Sequence, residues 1–182
     1  MAQAFESITE AMTSFVERQH MFFVATAPRS DDGRVNLSPK GLDAFRILGP
    51  NRVAYLDLTG SGAETIAHLR ENGRITFMFC AFEGKPDIIR FYGTGSVHRP
   101  GDAEFQQLAP LFGERRGVRS VITADIDRTS SSCGFAVPLM DFVEQRDTLT
   151  KFWKNKSDEG LAAYWAEKNA SSIDGLPAVT VD

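Results

Sequence analysis

The chain has 182 residues, of which 42% are hydrophobic and 24% charged, so it is long enough to bury one sizeable core and short for two. A formal net charge of −4 leaves no overall positive field for nucleic acid or an anionic membrane, and a small molecule is the expected partner. The sequence has neither an apolar run of membrane-spanning length nor an N-terminal signal-peptide pattern. We therefore expect a single domain over residues 1–182, located in the cytoplasm and not in a membrane.

The first elements in chain order are a helix and two pairs of short strands. Apolar residues recur at spacings of three and four from Phe5 to Val16, which predicts an amphipathic helix ending near His20. Residues 21–27 form a β-rich run, and the turn sequence "RSDDGR" leads from it to "VNLSPKG", so a hairpin is expected. "AFRIL", the turn "GPN" and "RVAYLDL" predict a second antiparallel pair.

The second half of the chain continues the β pattern. A short helix is predicted over residues 64–72, and the run "RITFMFCAFE" that follows is too apolar to have one face in water. "DIIRFYGTGSVHR" contains Gly93 and Gly95, which indicate a bulge or the close approach of a ligand or a second subunit. A helix at "DAEFQQLAPLF", a strand at "RSVITADIDR" and helical patterns from about residue 144 complete the chain. Short strands with few helices between them predict a mainly β fold, an antiparallel β-barrel with peripheral α-helices.

The loop "TGSGAET", residues 59–65, has the composition of an anion site. Its glycines allow backbone N–H groups to approach a ligand, its hydroxyls can donate, and the free N–H groups and dipole of a helix follow. A phosphate would contact Ser61, Gly62 and Thr65. The loop matches neither a Walker loop nor GxGxxG, and an ordinary helix entry capped by Ser61 or Thr59 is the alternative.

Glu64 is the member of this loop that fits a phosphate least well. It complements the helix dipole, but a carboxylate beside a phosphate repels it unless a cation intervenes. Arg90, Lys40 or Arg74 would have to supply that cation.

The order of three segments is more informative than any one motif. "VNLSPKG", "VAYLDLTGSGAETIAHLRENGRITFMFC" and "IIRFYGTGSV" together resemble the pyridoxamine 5'-phosphate oxidase-related group of FMN-binding split β-barrels. The resemblance covers roughly residues 10–150 and is strongest over residues 35–95. It implies one FMN-binding split-barrel domain with a helical C-terminal extension from about residue 144. It also implies a homodimer that binds FMN in the subunit interface.

The resemblance also assigns cofactor-binding residues by position. Arg90 would be a contact across the subunit interface. Lys40 has a physical rationale as well, because a cation near the pyrimidine side of a flavin stabilises the anionic reduced form; a surface lysine before a turn is its alternative. The residues expected along the flavin ring and ribityl chain are Asn36, Leu37, Ser38 and Lys40, and those expected to hold the phosphate are Thr59, Ser61, Gly62 and Thr65.

The chain departs from the family in its C-terminal part. Pyridoxamine phosphate oxidases carry an Arg-x-His pair there that helps to bind the vitamin phosphate, and no such pair follows residue 140. We therefore expect an FMN-dependent oxidoreductase of the related type, acting on another small-molecule substrate or electron donor, with no catalytic residue assigned. The alternatives are a non-catalytic flavin carrier or stress-related sensor, and a split barrel that holds deazaflavin or haem.

The remaining reactive residue types predict no further chemistry. Cys80 and Cys133 are the only cysteines and lie in no CxxC motif, so both are expected to be reduced. The three histidines are widely separated, and no metal site is predicted. The loop "SSSCGFAVPLM" contains no GxSxG elbow. It is expected either beside the flavin, through Ser132, Cys133 and Gly134, or as a plain turn with Cys133 buried.

Overall fold

A computed structural model describes residues 3–180 of the chain, and these form one antiparallel sheet of eight strands. Hydrogen-bonded neighbours follow the order β3-β2-β6-β7-β8-β5-β4, and β1 pairs with the end of β8. The expected mainly β, antiparallel split barrel is confirmed, with a sheet that does not close. The strands are β1 (Gln3–Phe5), β2 (Phe22–Thr26), β3 (Asn36–Lys40), β4 (Phe45–Gly49), β5 (Arg52–Leu58), β6 (Arg74–Cys80), β7 (Ile88–His98) and β8 (Val118–Ser132).

The helices are short and lie outside the sheet. None within residues 3–180 is long and apolar enough to cross a membrane. The expected C-terminal helices are present, although the first begins at Thr148 and not near residue 144. The helices are α1 (Glu10–Glu17), α2 (Glu64–Glu71), α3 (Ala103–Leu108) with a 3₁₀ turn at Ala109–Phe112, α4 (Thr148–Lys154) and α5 (Asp158–Tyr164), which continues into a π-helical turn at Trp165–Asn169.

The N-terminal helix is shorter than its apolar pattern predicts. Thr9 is its N-cap, and the Thr9 hydroxyl accepts the N–H of Met12 at 3.2 Å. Phe5, which fits the helical stripe by spacing, lies instead in β1 and pairs with Thr129 of β8. The assignment of Phe5 to the helix was therefore wrong, because a half-buried strand residue can continue a helical spacing by coincidence.

An aromatic cluster curls the sheet into a barrel. Phe22 on β2 and Phe45 on β4 have ring centroids 5.0 Å apart, although their strands lie near opposite ends of the sheet order. Phe79 contacts the Phe45 ring at 5.0 Å, and Tyr55 contacts Phe22 at 5.8 Å. Edge contacts of this kind add to the free energy of area burial, so the two ends of the sheet are held together by side chains.

Gly93 lies at the bulge predicted for β7. The register between β7 and β8 shifts between Tyr92 and Gly93, and a Cβ added to Gly93 would lie 2.0 Å from the carbonyl oxygen of Asp125. The close neighbour of this glycine is therefore the backbone of β8 in the same chain. Neither a ligand nor a second subunit is needed to explain it.

Candidate cofactor site

The glycine loop, residues 59–63, connects β5 to α2 and has four consecutive carbonyl oxygens that each accept a hydrogen bond from a side chain. The donors Trp153, Asn169 and Arg119 are almost completely buried. The carbonyl groups are therefore fixed on the side of the loop that faces the protein. The pairs are Trp153 Nε1 to Thr59 O at 2.8 Å, Asn169 Nδ2 to Gly60 O at 3.0 Å and to Ser61 O at 3.4 Å, and Arg119 Nη1 to Gly62 O at 2.9 Å.

The N–H groups of the glycine loop are not used in the same way. Within residues 3–180, those of residues 60–63 donate to no protein acceptor. Helix α2 follows directly with Ala63 as its N-cap and no capping side chain, so capping by Ser61 or Thr59 is wrong. Ser61 and Gly62 are exposed to solvent. Unused N–H groups in an exposed glycine loop at a helix N-terminus make an anion-binding arrangement.

A buried ion pair lies directly behind the loop. Arg119 Nε and Nη2 donate to the two carboxylate oxygens of Asp57 at 2.7 and 3.1 Å, and the Ser120 hydroxyl adds a third donor at 3.2 Å. Burial alone would raise the pKa of Asp57, but the Arg119 guanidinium holds it below its usual value. Asp57 in turn raises the pKa of Arg119, although burial opposes this. Both groups are charged, and the third nitrogen of Arg119 anchors Gly62.

Strand β3 lies beside the start of α2. Asn36, Ser38 and Lys40 share one half-buried face of β3, while Leu37 and Pro39 are exposed on the other. Asn36 Nδ2 donates to Thr65 Oγ1 at 3.1 Å, and the buried Ser38 hydroxyl has no hydrogen-bond partner among the residues that the structure describes. The strand residues and the loop residues predicted to hold the cofactor are therefore brought together in one chain.

The Thr65 hydroxyl is part of a buried polar network. The amide of Asn36 also donates to Thr26 Oγ1 at 3.2 Å, and that oxygen lies 2.9 Å from His68 Nδ1. Burial lowers the pKa of His68, so its imidazole is neutral at pH 7. Thr65 Oγ1 accepts from Asn36, and the Thr65 hydroxyl also lies beside the buried hydroxyl of Tyr55.

Lys40 is a cation without a carboxylate partner. It is half-buried and forms no ion pair within 4.0 Å among the described residues. Burial is the main cause of its lowered pKa; Asp57 raises the pKa and Arg119 lowers it. Lys40 is therefore not a freely solvated surface lysine, and its ammonium is available to an anionic ligand.

The turn that follows Lys40 has a strained backbone. Leu42 and Asp43 are consecutive non-glycine residues with positive φ, 61° and 50°, a conformation that costs roughly 1–2 kcal/mol per residue. Gln145 holds this turn by accepting the N–H of Leu42 at 3.0 Å and donating to His20 O at 2.8 Å. The turn borders a groove of about 530 Å³ that Arg146 and Phe152, among others, also line. Strain of this kind concentrates at ligand sites.

The Glu64 side chain binds the C-terminal part of the chain but stays beside the glycine loop, with Oε1 4.0 Å from the position of a Cβ built on Gly62. Its carboxylate accepts the backbone N–H of Ile173. Of the three cations expected to offset its charge, Lys40 lies beside the site, Arg74 donates to Asn72 and Pro28, and Arg90 donates to Ser132 on β8. Lys40 is therefore the one of these three cations that lies where it can offset the charge of Glu64, and the charge of Arg119 is already balanced by Asp57.

Three of the predicted cofactor residues differ from the rest in their surroundings. Thr59 is fully buried, and its hydroxyl accepts the indole N–H of Trp165 at 2.8 Å, so it is already engaged within the chain. Leu37 is 63% exposed. Arg90 contacts neither the glycine loop nor β3 by a hydrogen bond, and one chain does not bring it to the other residues.

The loop after β8 differs from its expected form. Cys133 is exposed, so its assignment as a small buried residue was wrong, and both Cys133 and Cys80 are free thiols. Residues 135–137 form a turn and residues 138–143 follow an irregular path; the side chains of Phe135, Leu139 and Val143 are exposed. An apolar cavity of about 420 Å³ lies where this path passes His20 and Phe82, away from the glycine loop.

The fold and the site define a split barrel with a candidate anion cradle between the edge strand β3 and the glycine loop that follows β5. The sequence model of pyridoxamine 5'-phosphate oxidase matches residues 8–133. The pyridoxamine 5'-phosphate oxidase family protein ustO of Aspergillus flavus is 41% identical over 193 residues, which covers 96% of this chain and 77% of that protein. The chain belongs to the pyridoxamine 5'-phosphate oxidase family.

Solved structures share the fold at lower identity. HupZ of Group A Streptococcus is 24% identical, with a TM-score of 0.56 over 67% of this chain and 91% of that chain. HutZ, the haem storage protein of Vibrio cholerae, is 15% identical, with a TM-score of 0.51 over 70% of this chain and 96% of that chain. Both similarities establish the split-barrel architecture, and neither identifies a ligand of this chain.

Proposed function

We propose that this protein binds FMN, with the phosphate on the glycine loop and the ring system against β3, and that it is an oxidoreductase acting on a small molecule. One observation carries the proposal: the carbonyl groups of residues 59–62 all accept hydrogen bonds from buried donors, while the N–H groups of residues 60–63 have no acceptor among residues 3–180. A loop arranged in this way presents donors only, which suits a phosphate and does not suit a cation.

The residues present fit the parts of FMN. The phosphate would be held by the N–H groups and hydroxyl of Ser61, by Gly62 and by the O–H of Thr65. Asn36, Leu37, Ser38 and Lys40 would lie along the ribityl chain and the ring, and Thr59 would fix the base of the loop. Bound FMN supplies two-electron transfer to or from a substrate, and Lys40 would stabilise negative charge on the reduced ring.

The protein is proposed to act as a homodimer in the cytoplasm. The glycine loop and β3 form an open face in one chain, and Val35 and Leu37 expose large apolar side chains beside it. Apolar side chains on an exposed edge strand favour association with another chain. Arg90, which does not reach the site of its own chain, would complete the site of the second copy. Sedimentation of the purified protein tests this: a monomer at micromolar concentration contradicts it.

The cofactor is tested by the absorbance spectrum of the untreated protein and by mass identification of what it releases on denaturation. Oxidised flavin bands and FMN are expected; a Soret band, or no FMN uptake in a titration, would overturn the proposal. Ser61→Asp places a carboxylate where the phosphate is expected and should weaken FMN binding by about tenfold or more. Ser61→Ala is the control and should have a much smaller effect.

The oxidoreductase part is tested separately by stopped-flow reduction with NADH or NADPH, followed by reoxidation with oxygen. Enzymatic turnover is expected. A protein that holds FMN and shows no turnover with any donor and acceptor would be a flavin carrier, which contradicts this part of the proposal and leaves the cofactor assignment standing.

A further inference from the structure

The C-terminal segment, residues 148–180, packs against the back of the glycine loop. It begins after the part of the chain that the family model matches, residues 8–133, so the family match gives it no role. Its contacts to the loop and to the start of α2 are specific: Trp153, Trp165 and Asn169 bind residues 59–61, and Ile173 binds Glu64.

The two indoles of this segment converge on one residue. Trp153 and Trp165 are the only tryptophans of the chain, and both donate their N–H to Thr59, one to the carbonyl oxygen and one to the hydroxyl, each at 2.8 Å. The third polar group of Thr59, its N–H, donates to Gly117 O at 2.8 Å. Thr59 is 0% exposed, so the first residue of the loop has its backbone fully fixed.

Asn169 fixes the next two residues. Its NH₂ group donates to the carbonyl oxygens of Gly60 and Ser61, while its own buried Oδ1 has no hydrogen-bond partner in the described part of the chain. Because two carbonyl oxygens face the amide, only the NH₂ orientation is compatible with them. The Asn169 side chain is therefore oriented to donate from its NH₂ group, and this orientation leaves its Oδ1 without a hydrogen bond. Asn169 lies four residues after Trp165 in the π-helical turn, a local geometry that is frequent at functional sites.

We propose that the C-terminal segment positions the phosphate cradle, with Trp153, Trp165 and Asn169 acting as positioning residues. Trp153 and Asn169 hold the carbonyl groups of residues 59–61 inwards and leave the N–H groups of the same peptides directed at the ligand, while Trp165 fixes the side chain of Thr59 at the start of the loop. Loss of these donors lets the peptides rotate and present carbonyl oxygens to the phosphate. The inference rests on the proposed FMN site.

The test compares FMN with riboflavin, which lacks the phosphate. Asn169→Leu keeps the side-chain size and removes both donors together with the unpaired acceptor, so the fold is expected to remain stable. FMN should bind on the order of tenfold more weakly, because two hydrogen bonds that orient the cradle are lost, and riboflavin affinity should not change. Trp165→Phe should give a smaller loss of the same kind, about threefold to fivefold, since it removes one donor.

Asn155→Leu is the matched control, because it makes the same change at an exposed position of the same segment and should alter neither affinity. An equal loss of FMN and riboflavin affinity in Asn169→Leu and Trp165→Phe would show a general structural role and overturn the inference. Unchanged FMN affinity in both variants would also overturn it. If the wild-type protein itself does not prefer FMN over riboflavin, the proposed phosphate site fails and the inference fails with it.

Discussion

The carboxylate of Glu64 accepts the backbone N–H of Ile173 through both of its oxygens, at 3.0 and 3.2 Å. An acidic residue in the first turn of a helix ordinarily interacts with the N–H groups of that turn. Here the carboxylate binds the C-terminal segment and not the N–H groups of the glycine loop, although Oε1 stays 4.0 Å from the position of a Cβ built on Gly62.

Glu64→Gln is therefore expected to strengthen FMN binding. The amide oxygen still accepts the N–H of Ile173, and the negative charge that repels the phosphate is removed. A like charge near 4 Å in solvent is worth about 1 kcal/mol, so a threefold to fivefold gain is expected at low salt, and screening should reduce it at high salt. Fluorescence titration at two salt concentrations measures both.

Glu71→Gln is the control for this change. Glu71 accepts the N–H of Arg29 at the other end of α2, and its replacement should leave FMN affinity unchanged. Weaker binding in Glu64→Gln would mean that the carboxylate supports the loop through the C-terminal segment more than it repels the phosphate.

Lys40→Met should stabilise the cofactor-free protein and weaken FMN binding. The folded protein lowers the pKa of Lys40 through burial, so at pH 7 the charged side chain destabilises the fold. Its removal should stabilise the cofactor-free protein by about 1 kcal/mol or less, about 2–4 °C in Tm at most, and weaken FMN binding by about tenfold. Thermal unfolding and FMN titration give the two results, with Lys85→Met, an exposed lysine, as the control.

The lowered pKa of Lys40 also predicts how FMN binding depends on pH. The ammonium is lost as the pH rises through the lowered pKa of Lys40, at a pH below 10.5, so wild-type FMN affinity should fall there. The destabilisation of the cofactor-free fold should disappear over the same range. Neither change should occur in Lys40→Met, and an identical alkaline limb in both proteins would assign it to another group.

Much of this site could be predicted from the sequence, because its ligand-facing part is local. Asn36, Ser38 and Lys40 alternate on one short strand, and Ser61, Gly62 and Thr65 follow a strand and begin a helix. These are patterns of neighbouring residues. The structure brings the two groups together through the hydrogen bond from Asn36 to Thr65.

The residues that support the loop could not be predicted in this way. Arg119 lies 57 positions from its partner Gly62, and Asn169 lies 109 positions from Gly60. A pairing of that length follows from the tertiary fold and leaves no periodic signal. Asp57 was the available clue, since it is a single carboxylate in the otherwise apolar run "VAYLDL", and a buried carboxylate requires a cation.

The Asp57–Arg119 pair predicts acid sensitivity. A lowered carboxyl pKa contributes stability that is complete above the unfolded value of about 3.9 and is lost as the pH falls through the folded value. Asp57→Asn leaves the Arg119 guanidinium buried without its partner and should cost about 3–5 kcal/mol at pH 7. The gap between wild type and variant should narrow below pH ~4, as measured by urea unfolding at several pH values.

Asp31→Asn is the control for the acid experiment, because Asp31 is exposed. It should leave both the stability at pH 7 and the shape of the acid limb unchanged. A gap between wild type and Asp57→Asn that is equal at all pH values would show that the carboxyl does not titrate differently in the fold.

A substitution at Gly117 tests how tightly the Trp153 indole is packed against the backbone. Gly117 has φ of +79°, and an added Cβ would lie 2.6 Å from Cγ of that indole. Gly113 has φ of +71° with open space around it. Gly113→Ala should therefore cost only the backbone strain, about 1–2 kcal/mol, whereas Gly117→Ala should cost more and shift the tryptophan emission. Equal losses of stability by urea unfolding would show that the indole can move at no cost.

Strand β8 has a consequence for how the chain reaches this structure. Its 15 residues pair with β7 along one edge and with β5 and β1 along the other, and all three partners precede it in the sequence. During synthesis, the edges of β5 and β1 that pair with β8 remain unpaired until residues 118–132 have left the ribosome. Pairings over such sequence distances are slow to form and expose strand edges to other chains. A product truncated before β8 should therefore aggregate and not accumulate as a smaller folded barrel.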